Sequence, residues 1–155
     1  MDRQRDGREP ARWIGRARSG KIADVLSRKG RRQLPTKPSK ELVVVPNPHP
    51  DTVYDVEMNC PEFTTLCPMT GQPDFATISI HYQPKNHIVE LKSLKLYLWS
   101  FRDEGHFHED VTNIILNDFV NAAKPRYAKV TGDFWVRGGI ATKVTVEYRD
   151  PETKA

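Results

Sequence analysis

The feature that most restricts the fold is a double change of hydrophobic period along residues 53–148. Residues 53–58 place Tyr54, Val56 and Met58 on one parity and Val53, Asp55 and Glu57 on the other, the alternation of a strand. Residues 76–82, ATISIHY, put Ile78 and Ile80 on one face and Thr77, Ser79 and His81 on the opposite one. The period then lengthens. Leu91, Leu94, Leu98 and Phe101 recur at helical spacing, and Gly105 is the expected stop. Glu109 and Asp110 open a second helical stripe, where acids suit the positive end of the helix dipole. That stripe is Val111, Ile114, Ile115, Phe119 and Ala122, with Pro125 beyond its end. Residues 127–136 and 142–148 return to alternation, and Arg137-Gly138-Gly139 between them reads as a hairpin turn. The order is β-β-α-α-β-β, two antiparallel hairpins flanking a helical pair, which is an α+β fold. Residues 42–46 read as an extended lead-in. Residues 60–74 read as a loop rich in Pro, Gly and Thr. Residues 88–91 read as a strand end joined to the strand before it by a hairpin turn at Pro84-Lys85-Asn86.

Charge divides the chain. Residues 1–40 carry 13 Lys and Arg against 4 Asp and Glu, a net of +9, whereas residues 41–155 carry a net of −5. This predicts a basic, disordered N-terminal arm over residues 1–40, with a short helix at 21–28. A folded domain follows over residues 41–150, and residues 151–155 form a C-terminal tail. A chain of 155 residues can bury one sizeable core. No apolar run is long enough to span a bilayer, and the start of the chain lacks the apolar region of a secretory signal. Asp2, Asp6 and Glu9 argue against a mitochondrial presequence. Two cysteines, Cys60 and Cys67, are too few for a disulfide scaffold, so the expectation is a cytoplasmic protein with reduced thiols.

Several chemistries find no motif. Neither G-x-G-x-x-G nor G-x-x-x-x-G-K-[ST] occurs. Cys60 and Cys67 stand too far apart for a zinc knuckle. His81, His87, His106 and His108 could join Cys67 around a metal, but half of a four-ligand set is missing, and no metal is expected.

The run CPMTGQPD ties a thiol to a carboxylate across a stiff turn, Cys67 to Asp74. A lone cysteine is most often a small buried hydrophobe, and Asp74 alone is a strand flank or turn residue. A polar, proline-stiffened loop is an unusual place to bury a thiol. Together the two residues can act as nucleophile and general acid, partial burial favouring the protonated acid.

The stretches FTTLCPMTGQPDFATI and ELKSLKLYLWSFRDEGHFHED resemble the short, single-module 7-cyano-7-deazaguanine reductase family, the nitrile reductases of queuosine biosynthesis. The family signature E-[SL]-K-[SA]-h-K-[LY]-[YFW], h being apolar, is met in full at Glu90-Leu91-Lys92-Ser93-Leu94-Lys95-Leu96-Tyr97. The resemblance covers residues 42–148 and leaves out the basic arm. It implies reduction of the nitrile of 7-cyano-7-deazaguanine to a primary amine at the expense of two NADPH. Cys67 matches the nucleophile, which forms a covalent thioimide, and Asp74 matches the proton donor. Val89, Glu90, Leu91, His108 and Glu109 match substrate-contacting positions, and Lys92 and Lys95 match a motif associated with NADPH. The resemblance further implies the tunnelling fold, or T-fold, of GTP cyclohydrolase I. In that fold subunits join their sheets into a barrel, with active sites at the interfaces of a homo-oligomer. No membrane and no direct nucleic-acid partner is required. Two other readings stay open: a zinc-dependent cyclohydrolase on the same fold, and an RNA-binding module led by the basic arm. Cys60 has no catalytic counterpart and is left as a buried thiol or an oxidative partner of Cys67.

Overall fold

The computed structural model describes residues 37–152; the expectations for residues 1–36, including the helix at 21–28, and for residues 153–155 lie outside the described residues. Strands β1 (Val44–Pro46), β2 (Val56–Leu66), β3 (Pro73–Gln83) and β4 (His87–Val89) come first. Helices α1 (Leu91–Trp99) and α2 (His108–Ala123) follow, and then β5 (Tyr127–Arg137) and β6 (Ile140–Arg149). The main sheet has the order β2-β3-β5-β6, antiparallel throughout, with the helical pair inserted between its two hairpins. This is the predicted α+β order.

Period two sorts the sheet into two faces. Ala76, Ile78, Ile80 and Tyr82 of β3 and Ala128, Val130 and Phe134 of β5 are buried beneath the helices. Leu94, Tyr97 and Leu98 of α1 and Val111, Ile115 and Phe119 of α2 cover them. Each Val, Leu, Ile or Phe among them contributes about 1.5–3 kcal/mol by leaving water. The other face carries Asn59, Ser79, His81, Lys129 and Thr131, as expected of an antiparallel sheet with one wet side.

Four local expectations need correction. The turn at residues 84–86 does not return β4 to β3, because β4 pairs antiparallel with β1, Val89 opposite Val44. Asn47 makes the junction: its N–H donates to Asn86 O at 2.8 Å and its Nδ2 to Lys85 O at 2.9 Å. The long loop predicted for residues 60–74 is mostly strand, leaving only residues 67–72 between β2 and β3. Helix α1 stops at Trp99, well before Gly105; Ser100 closes it, its Oγ donating to Tyr97 O at 2.6 Å. Leu91, expected on the buried face, is 63% exposed at the first turn. Helix α2 buries Val111, Ile115 and Phe119 of its expected stripe, with Ile114 and Ala122 only half-buried and Leu116 and Ala123 taking part instead; it is closed by Lys124, which takes a left-handed φ of 46° just before the buried Pro125.

Two bulges set the side-chain parity near one end of the sheet. Cys60 faces Ile78 but Phe63 faces Ala76, so β2 holds one extra residue there. Likewise Phe134 faces Thr142 but Arg137 faces Ile140, which puts one extra residue in β5. An inserted residue swaps the faces beyond it. Phe63 and Thr65 therefore point to the helix side like Met58 and Cys60 before them, and Arg137 shares the face of Phe134.

Candidate active site

Cys67 leaves β2 on the buried parity, and a six-residue loop returns the chain to β3. Cys67 N–H donates to Gln72 O, and Gly71 N–H donates back to Cys67 O, both at 2.8 Å. The segment after α1 holds the loop from below. Leu66 N–H donates to Glu104 O at 2.9 Å, His106 N–H to Leu66 O at 3.0 Å, and Thr65 Oγ1 to Glu104 O at 2.7 Å. Backbone bonds of this kind fix the position of the Cys67 thiol without using its side chain.

The Cys67 residue is 8% exposed. Its thiol is lowered to about 7, first by the Thr70 hydroxyl donating to sulfur, then by the Arg137 guanidinium beside it, then by the backbone N–H of Met69; burial opposes the shift. A thiol near 7 is substantially thiolate at neutral pH and an effective nucleophile. Asp74 is the second residue of β3, opposite Thr65, and is 5% exposed. Its Oδ1 accepts from Arg137 Nη1, and its Oδ2 lies 3.3 Å from His108 Nε2. His108 is the first residue of α2, and its ring stacks on Phe134 at 3.8 Å with 7° between the planes.

The structure thus brings Cys67, Asp74 and His108 together and adds three residues that sequence reasoning left out. In the sequence Arg137 reads as part of a turn, Thr70 as loop, and Phe134 only as part of the strand at 127–136. The bulge in β5 turns Arg137 inward, and neither composition nor spacing signals it. Asp74 has the expected burial, but its environment is polar, with a guanidinium and an imidazole at its two oxygens.

The remaining predicted residues lie around the start of α1 and of α2. Glu90 caps α1: Oε1 accepts from Lys92 N–H at 2.9 Å and Oε2 from Ser93 N–H at 2.7 Å. Ser93 Oγ accepts from Val43 N–H at 3.0 Å, and Tyr97 OH donates to Asp118 Oδ2 at 2.6 Å, pinning α1 to β1 and to α2. Glu90, Ser93 and Tyr97 of the signature therefore serve the fold through hydrogen bonds, and Leu94 and Leu96 serve it by burial. Lys92 and Lys95 are exposed. Lys95 and Arg102 line a cavity of about 480 Å³ between α1 and the bulged part of β2, together with Leu91, Cys60 and Phe63. Val89 is 5% exposed and its N–H donates to Tyr82 OH at 3.4 Å. Glu109 is exposed on the first turn of α2. Its backbone carbonyl accepts from Asn113 Nδ2, while its carboxylate faces outward.

Cys60 is half-buried, and burial pushes its thiol up. It sits in the strand that ends just before Cys67, so the two are separated by on the order of 20 Å of extended chain. A disulfide needs Cα atoms within about 7 Å, which rules out the Cys60–Cys67 link within one chain. Among the described residues no group of three or more His, Cys, Asp or Glu side chains is arranged to hold a metal ion. No described helix is long and apolar enough to cross a membrane.

A family model described as QueF-like protein matches residues 73–153. A protein of Anaeromyxobacter sp. (strain Fw109-5) named NADPH-dependent 7-cyano-7-deazaguanine reductase is 62% identical over 115 residues, 74% of this chain and 94% of the relative. A protein of the same name from Alkalilimnicola ehrlichii (strain ATCC BAA-1101 / DSM 17681 / MLHE-1) is 60% identical over 116 residues, 75% of this chain and 90% of its own. Another, from Thiobacillus denitrificans (strain ATCC 25259 / T1), is 60% identical over 116 residues, 75% of this chain and 84% of its own. Among solved structures, the archaeosine synthase QueF-Like in its apo form superposes with a TM-score of 0.54 at 22% identity. It covers 61% of this chain and 91% of that one, a likeness of fold.

Proposed function

The chain belongs to the family of NADPH-dependent 7-cyano-7-deazaguanine reductases, and on that premise we propose that Cys67 is the nucleophile of a nitrile reduction. The reaction takes the nitrile of 7-cyano-7-deazaguanine to the primary amine of 7-aminomethyl-7-deazaguanine. The observation that carries the residue assignment is the convergence of Cys67, Asp74 and His108 on one face of the sheet.

A nitrile carbon accepts hydride poorly. Attack by the Cys67 thiolate converts C≡N into a C=N unit bound to sulfur, splitting one hard step into easier ones. Charge develops on nitrogen at each addition, and the Asp74–His108 pair supplies the proton there, the Asp74 carboxylate holding the His108 imidazole that carries it. NADPH, when bound, supplies one hydride per molecule, and two molecules complete the reduction. Lys92 and Lys95, exposed three residues apart at the start of α1, would hold its phosphates. Glu109 presents an outward carboxylate able to grip the N–H and exocyclic amine of a guanine-like ring by charge-assisted bonds. His108 and residues 89–91 complete that contact; Glu90 keeps acceptor capacity after capping, because a carboxylate has about four lone-pair sites.

We further take the assembly to be a homo-oligomer with sites at its interfaces. Strands β2 and β6, 11 and 10 residues long, are the open edges of the sheet, a state that proteins avoid by pairing. The cytoplasm, with its reduced thiols, suits a nucleophilic cysteine. The zinc-dependent cyclohydrolase and the RNA-binding module draw no support from the relatives.

Purified full-length chain incubated with 7-cyano-7-deazaguanine should consume two NADPH per nitrile. Mass spectrometry should find the covalent adduct on Cys67; Cys67→Ala should abolish it, and Asp74→Asn should keep adduct but form little amine. Folded protein that consumes no NADPH, or an adduct that persists in Cys67→Ala, would overturn the reading.

A further inference from the structure

Arg137 stands between the two groups assigned to the chemistry. The β5 bulge turns it onto the face of Phe134, and the Gly138-Gly139 hairpin, with φ of 60° and 79°, holds it opposite Ile140. Its Nη1 donates to Asp74 Oδ1, and its guanidinium lies beside the Cys67 thiol. Its own side chain is 41% exposed against 5% for Asp74. A carboxylate so withdrawn from water needs a partner, and a second anion at Cys67 would need one more.

Resting on the nitrile-reductase reading, we propose that Arg137 is a further residue of the covalent addition step: one guanidinium holds the Cys67 thiolate and the Asp74 carboxylate together. A guanidinium suits this role for two reasons. It stays charged at every working pH, so the proton movements of the reaction leave it unchanged. Its planar fork of donors can serve two acceptors in different directions, which a lysine ammonium does less well.

The balance of the step is simple. The sulfur–carbon bond forms as one π bond of the nitrile breaks, its electron pair passes to nitrogen, and nitrogen takes the proton that the Asp74–His108 pair carries on His108, Asp74 staying a carboxylate throughout. Nothing is oxidised or reduced. Sulfur goes from anion to neutral, so Arg137 faces two anions before the addition and one after it. The charged groups of this cluster are Arg137 from β5, Asp74 from β3 and His108 from α2. Glu104, His106 and Asp110 form a separate chain of contacts beyond the loop backbone, His106 lying 3.1 Å from Glu104 and 3.2 Å from Asp110.

The test follows alkylation of Cys67 by iodoacetamide across pH in the full chain, with peptide masses separating Cys67 from Cys60. In Arg137→Gln the midpoint should move up by roughly one pH unit, slowing alkylation at pH 7 about fivefold. Arg137→Lys should recover part of that shift. Formation of the 7-cyano-7-deazaguanine adduct without NADPH should slow to a similar extent at pH 7, and the gap should close above pH 9. An unmoved midpoint in folded Arg137→Gln, or a gap that persists at high pH, overturns the proposal. If the unaltered chain forms no adduct at all, the nitrile-reductase reading fails, while the alkylation comparison still decides the role of Arg137.

Discussion

At Cys67 the sulfur is surrounded by donors: the Thr70 hydroxyl, the Arg137 guanidinium and the Met69 N–H all favour the anion, and only burial opposes them. The first of these is supplied by the loop itself, so the loop carries part of the activation wherever it is placed. The form able to attack is the thiolate, whose share grows as pH rises through about 7 and saturates above it. Adduct formation should therefore climb between pH 6 and 8 and then level off. Thr70→Val keeps the shape of the side chain and removes the donor. Its midpoint should lie higher, towards the ordinary thiol value of about 8.5, with adduct formation slowed below pH 7 and near normal at pH 9. Thiolate absorbance, measured as the difference from Cys67→Ala, reads that midpoint directly. A midpoint still at 7 in Thr70→Val would mean that the hydroxyl gives nothing to the sulfur.

Among the elements, α2 must come close to β5 for His108 to reach Asp74, and Gly132 permits it. A Cβ at Gly132 would lie 2.7 Å from the Phe134 ring and 2.9 Å from Thr112 Oγ1. The ring cannot yield freely, because it carries the stacked His108. Thr112 is tied too, its Oγ1 donating to His108 O at 2.7 Å. Gly132→Ala should cost about 1–3 kcal/mol of stability, seen as a lower urea midpoint at unchanged slope, and should weaken the reduction by displacing His108. An unchanged midpoint would show that the helix does not depend on this close approach. The same region marks where the sequence stopped being readable. Ile78 and Ile80, or Val111, Ile115 and Phe119, announce their faces because periodicity is a local property. The bulges at Cys60–Phe63 and at Phe134–Arg137 are properties of two paired strands, and no residue within either strand reveals them. The Cys67–Asp74 pairing is therefore legible through its motif, whereas Arg137, whose direction depends on a bulge, reads in the sequence as part of a turn. The β1–β4 pairing escaped for a similar reason: strands of three residues, separated by the whole β2–β3 hairpin, leave no periodic trace.

For the whole molecule, the open question is what covers the edges of the sheet. Near the end that carries the site, Phe75 is 42%, Trp135 63%, Val136 67% and Ile140 69% exposed. Phe75 and Trp135 lean together at 5.4 Å on the face away from the helices. Apolar side chains gathered across the inner strands β3 and β5 are a surface suited to another protein chain rather than to water. A second copy fits best, since β2 and β6 offer edges of nearly equal length from opposite sides of one sheet. Such an arrangement would also let the outward Glu109 of one copy meet a ligand held by the Cys67 loop of another. Trp135→Glu puts a charge into that surface without touching Cys67, Asp74 or His108. Light scattering should then move from a multiple of the 17.8 kDa chain mass towards the mass itself. Nitrile reduction should fall in parallel, with far-UV circular dichroism retained. If the unaltered chain runs as a monomer and still reduces the nitrile at full rate, every group the reaction needs lies within one chain, and the shared site must be given up.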